Sequence, residues 1–269
     1  MRYPGPSRLA FAAAGGITVA LLSLAYGCKH DPPSLGESAS AVSAAAPPAT
    51  ANAVSYGIDP KSKTSIDMAG LKAHIKADTD AAAGKLDVDL TDLANTRGEV
   101  KVDLTSLKTH TFNDDHDASQ THHALNWLEV GDVASAEAKK ANQYAVFAIQ
   151  SITAPSATDV SKVSATQENG EDVRTVTMTA HGDFLLHGHK TKLDVPIEAR
   201  FHFPAGAPAD SRPALIDVKS TAPMKVTLKD YDVRPRDTFG KVAEWTTNLV
   251  AKVAETADVS LDLHADLAK

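Results

Sequence analysis

The chain has 269 residues, a formal net charge of -7 and a single cysteine. This acidic balance argues against a nucleic-acid partner, because phosphate binding needs clustered lysine and arginine. A lone cysteine excludes an internal disulfide, and four-ligand zinc sites usually need several cysteines. We therefore predict no nucleic-acid partner, no metal and no other cofactor.

Residues 1–27 have the pattern of a removable export signal. Arg2 and Arg8 precede an apolar stretch, Leu9–Ala25, that ends in small residues, which is the usual order of a basic start, a hydrophobic centre and a small-residue exit. A retained membrane span is the alternative interpretation. The stretch is at the short limit for crossing a bilayer, so we favour removal.

The end of this segment resembles a bacterial lipobox. Gly27 stands directly before Cys28 as in that signal, whereas Ala25 occupies a position where leucine is more common. The resemblance implies that Cys28 becomes the acylated first residue, in a periplasmic or outer-membrane lipoprotein of a Gram-negative bacterium. The alternative is an exported protein with a free thiol, although an unpaired cysteine is unusual in an exported chain.

Residues 28–54 are predicted to form a flexible linker between the lipidated Cys28 and a folded domain over residues 55–269. Four prolines interrupt a run of alanine, serine and glycine, in which Leu35 and Val42 are the only aliphatic residues larger than alanine before Val54. Such a segment buries too little apolar surface to offset the entropy lost on ordering.

Alternating apolar and polar residues dominate the domain. The clearest examples are Leu86–Leu90, Val100–Leu104, Leu193–Phe203 and Val259–Leu263. A period of two gives each strand one apolar face and one wet face, which is typical of antiparallel sheets. Further strand candidates are Ser65–Lys76, Ala145–Ile152, Val173–Leu186, Ala214–Ser220 and Met224–Tyr231.

Two stretches have a helical pattern instead. Ala118, Leu125 and Leu128 lie within Asp117–Glu129, and the stretch Phe239–Thr256 carries an apolar stripe with charged residues outside it. Stripes of this kind normally pack a helix against its own domain. A membrane-surface role is disfavoured because the polar face of the second stretch is mixed in charge.

The order of several short motifs resembles the YceI-like polyisoprenoid-binding family. The matching segments are Tyr56–Pro60, Ser65-Ile66, Ser106–Thr109, Asp115-His116, Ala145–Phe147 with Ser151, Gly182–Val195 and Lys229–Val233. The best match is Gly182–Val195, which resembles the hairpin of the family. Departures include His189 in place of an apolar residue and the inserted stretch Phe239–Thr256.

The resemblance implies a mainly β fold, an antiparallel lipocalin-like β-barrel of about eight strands with one or two short helices. It implies that the partner is an isoprenoid or other long-chain amphiphilic lipid held inside a non-enzymatic envelope protein. The predicted pocket residues are Phe147, Ile149, Met178, Phe184, Leu186, Val195, Ile197, Phe201, Val226 and Leu228. The alternative is that these side chains simply fill the core, as in many small barrels.

A histidine- and aspartate-rich loop motivates a different hypothesis, a metal-binding or enzymatic domain. Its members are His110, Asp114, Asp115, His116, Asp117, His122 and His123. Their spacing matches no established metal motif, and the aspartates are equally suited to capping a helix. No nucleophile-elbow sequence is present, so catalysis has no support. A structural or interaction module of the envelope is the third hypothesis.

Overall fold

The computed structural model describes residues 43–69, 74–235 and 254–268. The predicted signal peptide, Cys28 and residues 239–253 of the second predicted helix lie outside these ranges. The described strands are β1 (Val54–Ile58), β2 (Lys63–Ala69), β3 (His74–Thr79), β4 (Ala82–Val88), β5 (Arg97–Asp103), β6 (Lys108–Thr109), β7 (Tyr144–Thr153), β8 (Thr166–Glu168), β9 (Glu171–Leu186), β10 (His189–Pro204), β11 (Leu215–Ser220), β12 (Met224–Thr227) and β13 (Thr256–Leu267). The described helices are α1 (Asp115–Trp127) and α2 (Ala136–Asn142).

Eight strands form a closed ring of antiparallel pairs. The order is β1-β4-β5-β7-β9-β10-β11-β13, and β13 pairs back with β1. Every described pair of strands is antiparallel. The predicted mainly β, antiparallel fold with short helices is therefore confirmed.

The long strand β13 divides the molecule into two halves. Its C-terminal part pairs with β11 and β1 inside the closed ring, which we call the ring half. Its N-terminal part pairs with β12 and β2. Strand β2 also pairs with β3, and β3 pairs with β6. We call this second part, which α1 contacts at β6, the helix half.

The longest hairpin, β9–β10, shows how the sequence alternation becomes structure. Along both strands, buried residues alternate with more exposed ones over most of their length. The two-residue turn between them is His187-Gly188, with φ angles of 50° and 75°. Two consecutive positive φ values match the twist of a hairpin, and glycine adopts them without steric cost.

A bulge in β7 keeps its apolar residues inside the ring. The pairing register with β9 shifts between Ile149 and Ser151. One extra residue at a bulge changes which face the following side chains occupy. As a result Ile149 and Ile152 both face the interior, although their spacing breaks a strict period of two.

Helix α1 begins two residues before the predicted Asp117, because Asp114 caps it by accepting a hydrogen bond from the His116 N–H. This capping confirms the alternative interpretation of the loop aspartates. The Thr121 hydroxyl accepts a hydrogen bond from the Thr109 N–H of β6 at 2.9 Å. Within the described ranges, no helix is long and apolar enough to cross a bilayer.

Three sequence predictions need correction. The stretch Ser65–Lys76 is not one strand but parts of two, β2 and β3, which pair with each other. The strand predicted over Met224–Tyr231 ends at Thr227, where a short 3₁₀ helix follows. Thr256, placed at the end of the second helix, instead begins β13 and pairs with Thr227. Helix α2, capped by Ser135, was not predicted at all.

Residues 43–50, part of the predicted linker, lie against the outer face of β7. Ala44 is buried beside Val146 and Ala148. The Gln150 side chain donates a hydrogen bond to the Ala45 carbonyl at 2.8 Å, and Lys190 donates to the Ser43 carbonyl at 3.3 Å. This part of the chain therefore packs on the domain through both apolar and polar contacts.

Candidate functional site

Two cavities lie inside the strands, one in each half. The helix-half cavity has a volume of about 120 Å³, and its wall includes residues of β2, β5, β12, β13 and α1. The ring-half cavity has a volume of about 60 Å³ and lies within the closed ring. Nearly all of the wall in both cavities is hydrocarbon, because the inward faces of the alternating strands supply it.

Phe147 stands at the boundary between the two cavities. It lines both of them, together with Val100 and Leu261. Its ring lies against Gly182 of the neighbouring strand, where an added Cβ would approach Phe147 Cζ to 2.5 Å. The glycine therefore makes room for the aromatic ring, which borders both cavities.

The ten predicted pocket residues all lie on these walls. Those that line the helix-half cavity are Phe147, Phe184, Leu186, Val226 and Leu228, of which Phe147, Phe184 and Leu186 come from ring strands. Those in the ring half are Phe147, Ile149, Met178, Val195, Ile197 and Phe201. The residues thus divide between two adjoining cavities, with Phe147 common to both, instead of lining a single pocket. Their contact with a ligand stays a prediction.

Three buried polar atoms belong to residues that line the helix-half cavity, although the atoms themselves expose almost no surface to it. They are the hydroxyls of Thr64 and Thr79 and the indole nitrogen of Trp127, and none has a hydrogen-bond partner among the described residues. Thr64 and Thr79 face each other across the β2–β3 pair. A buried polar group without a partner costs about 1–3 kcal/mol.

A polar network ties the β9–β10 turn to the helix half. His187, which is buried, lies 3.0 Å from the Tyr231 carbonyl through Nδ1 and 2.9 Å from the Glu129 carboxylate through Nε2. The Tyr231 hydroxyl is hydrogen-bonded to Thr191, and its ring meets Phe184 edge-on at 5.5 Å. Burial raises the pKa of Tyr231. The network thereby holds together segments that neighbour the cavity wall at Leu128 and Leu228.

The histidine- and aspartate-rich loop does not converge on one point. Each of three histidines lies beside a different carboxylate: His110 and Asp78 at 3.6 Å, His116 and Asp114 at 2.9 Å, and His122 and Asp132 at 2.9 Å. Within residues 43–69, 74–235 and 254–268, no group of three or more histidine, cysteine, aspartate or glutamate side chains is arranged to hold a metal ion. The metal hypothesis therefore gains no geometric support.

A family model decides the relationship of the chain. The model of the YceI-like domain matches residues 56–265, which include the described strands from β2 to β12 and most of β1 and β13. The chain belongs to the YceI-like domain family. The resemblance inferred from the short motifs is therefore confirmed.

Two solved structures are similar to this YceI-like chain. One is a polyisoprenoid-binding domain from Saccharophagus degradans, implicated in plant cell wall breakdown, with 14% identity and a TM-score of 0.49. The alignment covers 80% of this chain and 99% of that one. The other is BcnA of Burkholderia cenocepacia, with 13% identity, a TM-score of 0.47 and coverage of 77% and 98%. No significant relative was found among curated proteins.

Sequence reasoning missed several residues of the YceI-like cavity walls. Thr64 and Thr79 belong to β2 and β3, whose strand pattern was recognised only as one segment. Trp127 lies within the predicted helix Asp117–Glu129 but is not among the predicted pocket residues, although it is the last residue of α1 and lines the helix-half cavity. The available signal was the inward position of Thr64 in step with Ile66 and Met68 along β2.

Proposed function

We propose that this YceI-like protein binds a long amphiphilic lipid of the isoprenoid class inside its strands. The observation that carries the proposal is the pair of adjoining cavities with hydrocarbon walls. Moving apolar surface out of water contributes about 25 cal/mol per Å², so such walls favour an apolar tail. The isoprenoid class follows from the ligand that the family resemblance implies.

The role that we propose is binding, without catalysis. General acid–base chemistry needs a titratable side chain near the reacting atoms. Among the described residues, no titratable side chain lines either cavity. An interaction module without internal space is also disfavoured, because both cavities lie beneath the strands.

The proposal is tested by a substitution that fills part of the cavity and by measuring the mass of the bound ligand. Ala257 is buried on the wall of the helix-half cavity, so Ala257→Leu places extra carbon inside it. Native mass spectrometry of protein isolated from its own host should show a bound apolar species of a few hundred daltons in the wild type. Ala257→Leu should reduce its occupancy.

Ala83→Leu is the matched control, because Ala83 is exposed on β4 and the same atoms are added outside. Its lipid occupancy should equal that of the wild type. A wild-type protein that is consistently free of lipid would contradict the proposal, and so would equal occupancy in all three proteins.

We also propose that the protein is an exported lipoprotein, held at a bacterial envelope membrane by acyl groups on Cys28. Support comes from the signal-like segment and the lipobox-like residues before Cys28. Several acyl chains give stable anchoring, because each buried CH₂ contributes about 0.8 kcal/mol.

Cys28→Ser should abolish incorporation of labelled palmitate and release the domain from washed membranes, whereas Ser38→Ala should do neither. A mature protein with an unmodified Cys28 thiol would exclude the anchor.

A further inference from the structure

Residues 43–50, which we call the docked segment, run lengthwise along the outer face of the domain. At one end, the Lys190 side chain donates a hydrogen bond to the Ser43 carbonyl at 3.3 Å, directly after the β9–β10 turn. At the other end, the Thr50 hydroxyl donates to the Asp89 carboxylate at 3.2 Å, directly after β4. Between these ends the segment packs on β7.

The strand register gives the distance between the two ends. Val146 of β7 is level with the β9–β10 turn, because it pairs with Leu185. Ile149 is level with Leu86 through β5, and Asp89 lies three residues beyond Leu86. The ends of the docked segment are thus about six strand residues apart, or about 20 Å.

Docking therefore changes where the preceding chain leaves the domain. Without these contacts the chain would leave at the start of β1, where Val54 pairs with Val88 next to Asp89. With them, it leaves at Ser43 beside the β9–β10 turn. The point of exit moves by about 20 Å along the strands, from the ring half towards the helix half.

The length of chain before the point of exit also changes. Residues 29–42, 14 in number, lie between Cys28 and Ser43, whereas residues 29–53, 25 in number, lie between Cys28 and Val54. Because an extended chain spans at most about 3.6 Å per residue, Ser43 lies within about 50 Å of Cys28, and an undocked Val54 would be allowed about 90 Å. An anchor on Cys28 would thus hold the domain by its β9–β10 end on the shorter tether.

The exposed large apolar side chains of the described ranges are in the helix half as well. Phe112, Val133 and Tyr144 have relative exposures of 48%, 49% and 42%. All three belong to the stretch from the end of β6 to the start of β7, which carries α1 and α2. Apolar side chains gain free energy on leaving water for a bilayer interface. The net charge of -7 indicates that such a contact depends on apolar burial and not on anionic lipid.

We infer that the helix-half end of the domain faces the lipid bilayer that holds Cys28, and that the docked segment sets this orientation. The larger cavity extends to the same end, because its wall includes Leu186, the last residue of β9. A lipid would then exchange between the bilayer and this cavity over a short aqueous path. The inference rests on the proposed acyl anchor and adds which surface of the domain meets the membrane.

The test measures the height of each end above the bilayer in the full-length lipoprotein. The protein is reconstituted into vesicles of phosphatidylcholine and phosphatidylethanolamine that contain a rhodamine-labelled lipid. A fluorescent donor is attached at Ala141→Cys, exposed on α2 in the helix half, or at Ala205→Cys, exposed after β10 in the ring half. Since Cys28 is the only native cysteine, its acylation leaves the added thiol as the reactive one.

The donor at position 141 should transfer about twofold more energy to the labelled lipid than the donor at position 205, because β9 separates the two ends by about 50 Å along the strand. Adding Ala44→Glu places a charge at the buried contact of the docked segment and should bring the ratio close to one. Ala51→Glu is the matched control, since Ala51 is exposed in the same part of the chain, and it should keep the wild-type ratio.

Two measurements check the variants themselves. Urea unfolding shows whether each variant folds, and faster proteinase K cleavage within residues 43–50 shows that Ala44→Glu has released the segment. Gln150→Ala combined with Lys190→Ala removes two hydrogen bonds to the segment without burying a charge, and it should also lower the transfer ratio.

Each contrary result has a distinct meaning. Equal transfer from the two donors, or more from position 205, would overturn the inference and leave the anchor standing. An unchanged ratio after release of the segment would show that it does not set the orientation. Protein that fails to enter the vesicles, or that reacts with the fluorophore at Cys28, would overturn the proposed anchor and the inference with it.

Discussion

The ring half and the helix half enclose their cavities in different ways. In the ring half, strand pairs close completely through the β1–β13 pair, and the enclosed cavity is about 60 Å³. In the helix half, the strands end at β6, and α1 takes the next position by bonding the Thr109 N–H with Thr121. The cavity there is about 120 Å³. The cavity that α1 helps to cover is thus the larger of these two.

Phe147 lines both cavities, so removing its side chain should have the largest effect. Phe147→Ala should lower the free energy of unfolding by about 3–5 kcal/mol and join the two cavities. Urea unfolding measures the first effect. Native mass spectrometry should show bound lipids of higher mass than in the wild type.

Phe184→Ala is the comparison for Phe147→Ala, because Phe184 lines only the helix-half cavity. It should destabilise the protein by a similar amount without lengthening the bound lipid. If both variants carry the same lipids as the wild type, Phe147 is not the boundary that the geometry indicates.

Substitution of Gly182, against which the Phe147 ring packs, should have the next largest effect on stability. In Gly182→Ala the new methyl would lie 2.5 Å from Phe147 Cζ and 2.6 Å from the Ala148 carbonyl oxygen. We expect a loss of about 1–3 kcal/mol from overpacking, measured by urea unfolding. Gly57→Ala, where no atom lies within 4 Å of the added Cβ, should change stability by less than about 0.5 kcal/mol. Equal losses in the two variants would contradict the close packing of Phe147 on Gly182.

Removing the His187 contacts should have a smaller effect on stability, and that effect should be concentrated in the helix half. His187→Asn keeps a residue that tolerates positive φ but removes the contacts with Tyr231 and Glu129. We expect a loss of about 1–2 kcal/mol, with amide exchange accelerated first in the helix half. His189→Asn, at the exposed side of the same turn, should have little effect. Uniform acceleration in both halves would show that the network does not act locally.

The smallest effect should appear on acidification, through Asp89, which directly follows β4 of the ring half. Burial would raise the pKa of Asp89, but hydrogen bonds from the side chain and N–H of Thr91, from the Asp92 N–H and from the Thr50 side chain outweigh it and lower the pKa. The stabilisation is therefore present above the unfolded-state value of about 3.9 and declines as the pH falls below it.

Unfolding free energies measured from pH 7 to pH 3.5 should fall by less than about 1 kcal/mol on account of this one group. Asp89→Asn should reduce that fall. An identical pH dependence in the variant would show that other carboxylates account for it.

Sequence patterns predicted the strands well, because alternation directly reports which face of a strand is apolar. The same patterns placed Phe147 and Phe184 on the interior wall. They could not reveal two cavities, since alternation does not give the distance between opposite walls. The position of Phe147 depends on Gly182 in another strand, which is a property of three-dimensional packing.

The pairing of β1 with β13 also has a consequence for how the chain reaches its folded state. The first and last described strands must meet before the ring closes, and β13 supplies wall residues to both cavities. Contacts between such distant segments make folding slow, because a large loop must close before they form. Neither compartment is complete until β13 has docked, so a ligand that needs both can be captured only at the end of folding or afterwards.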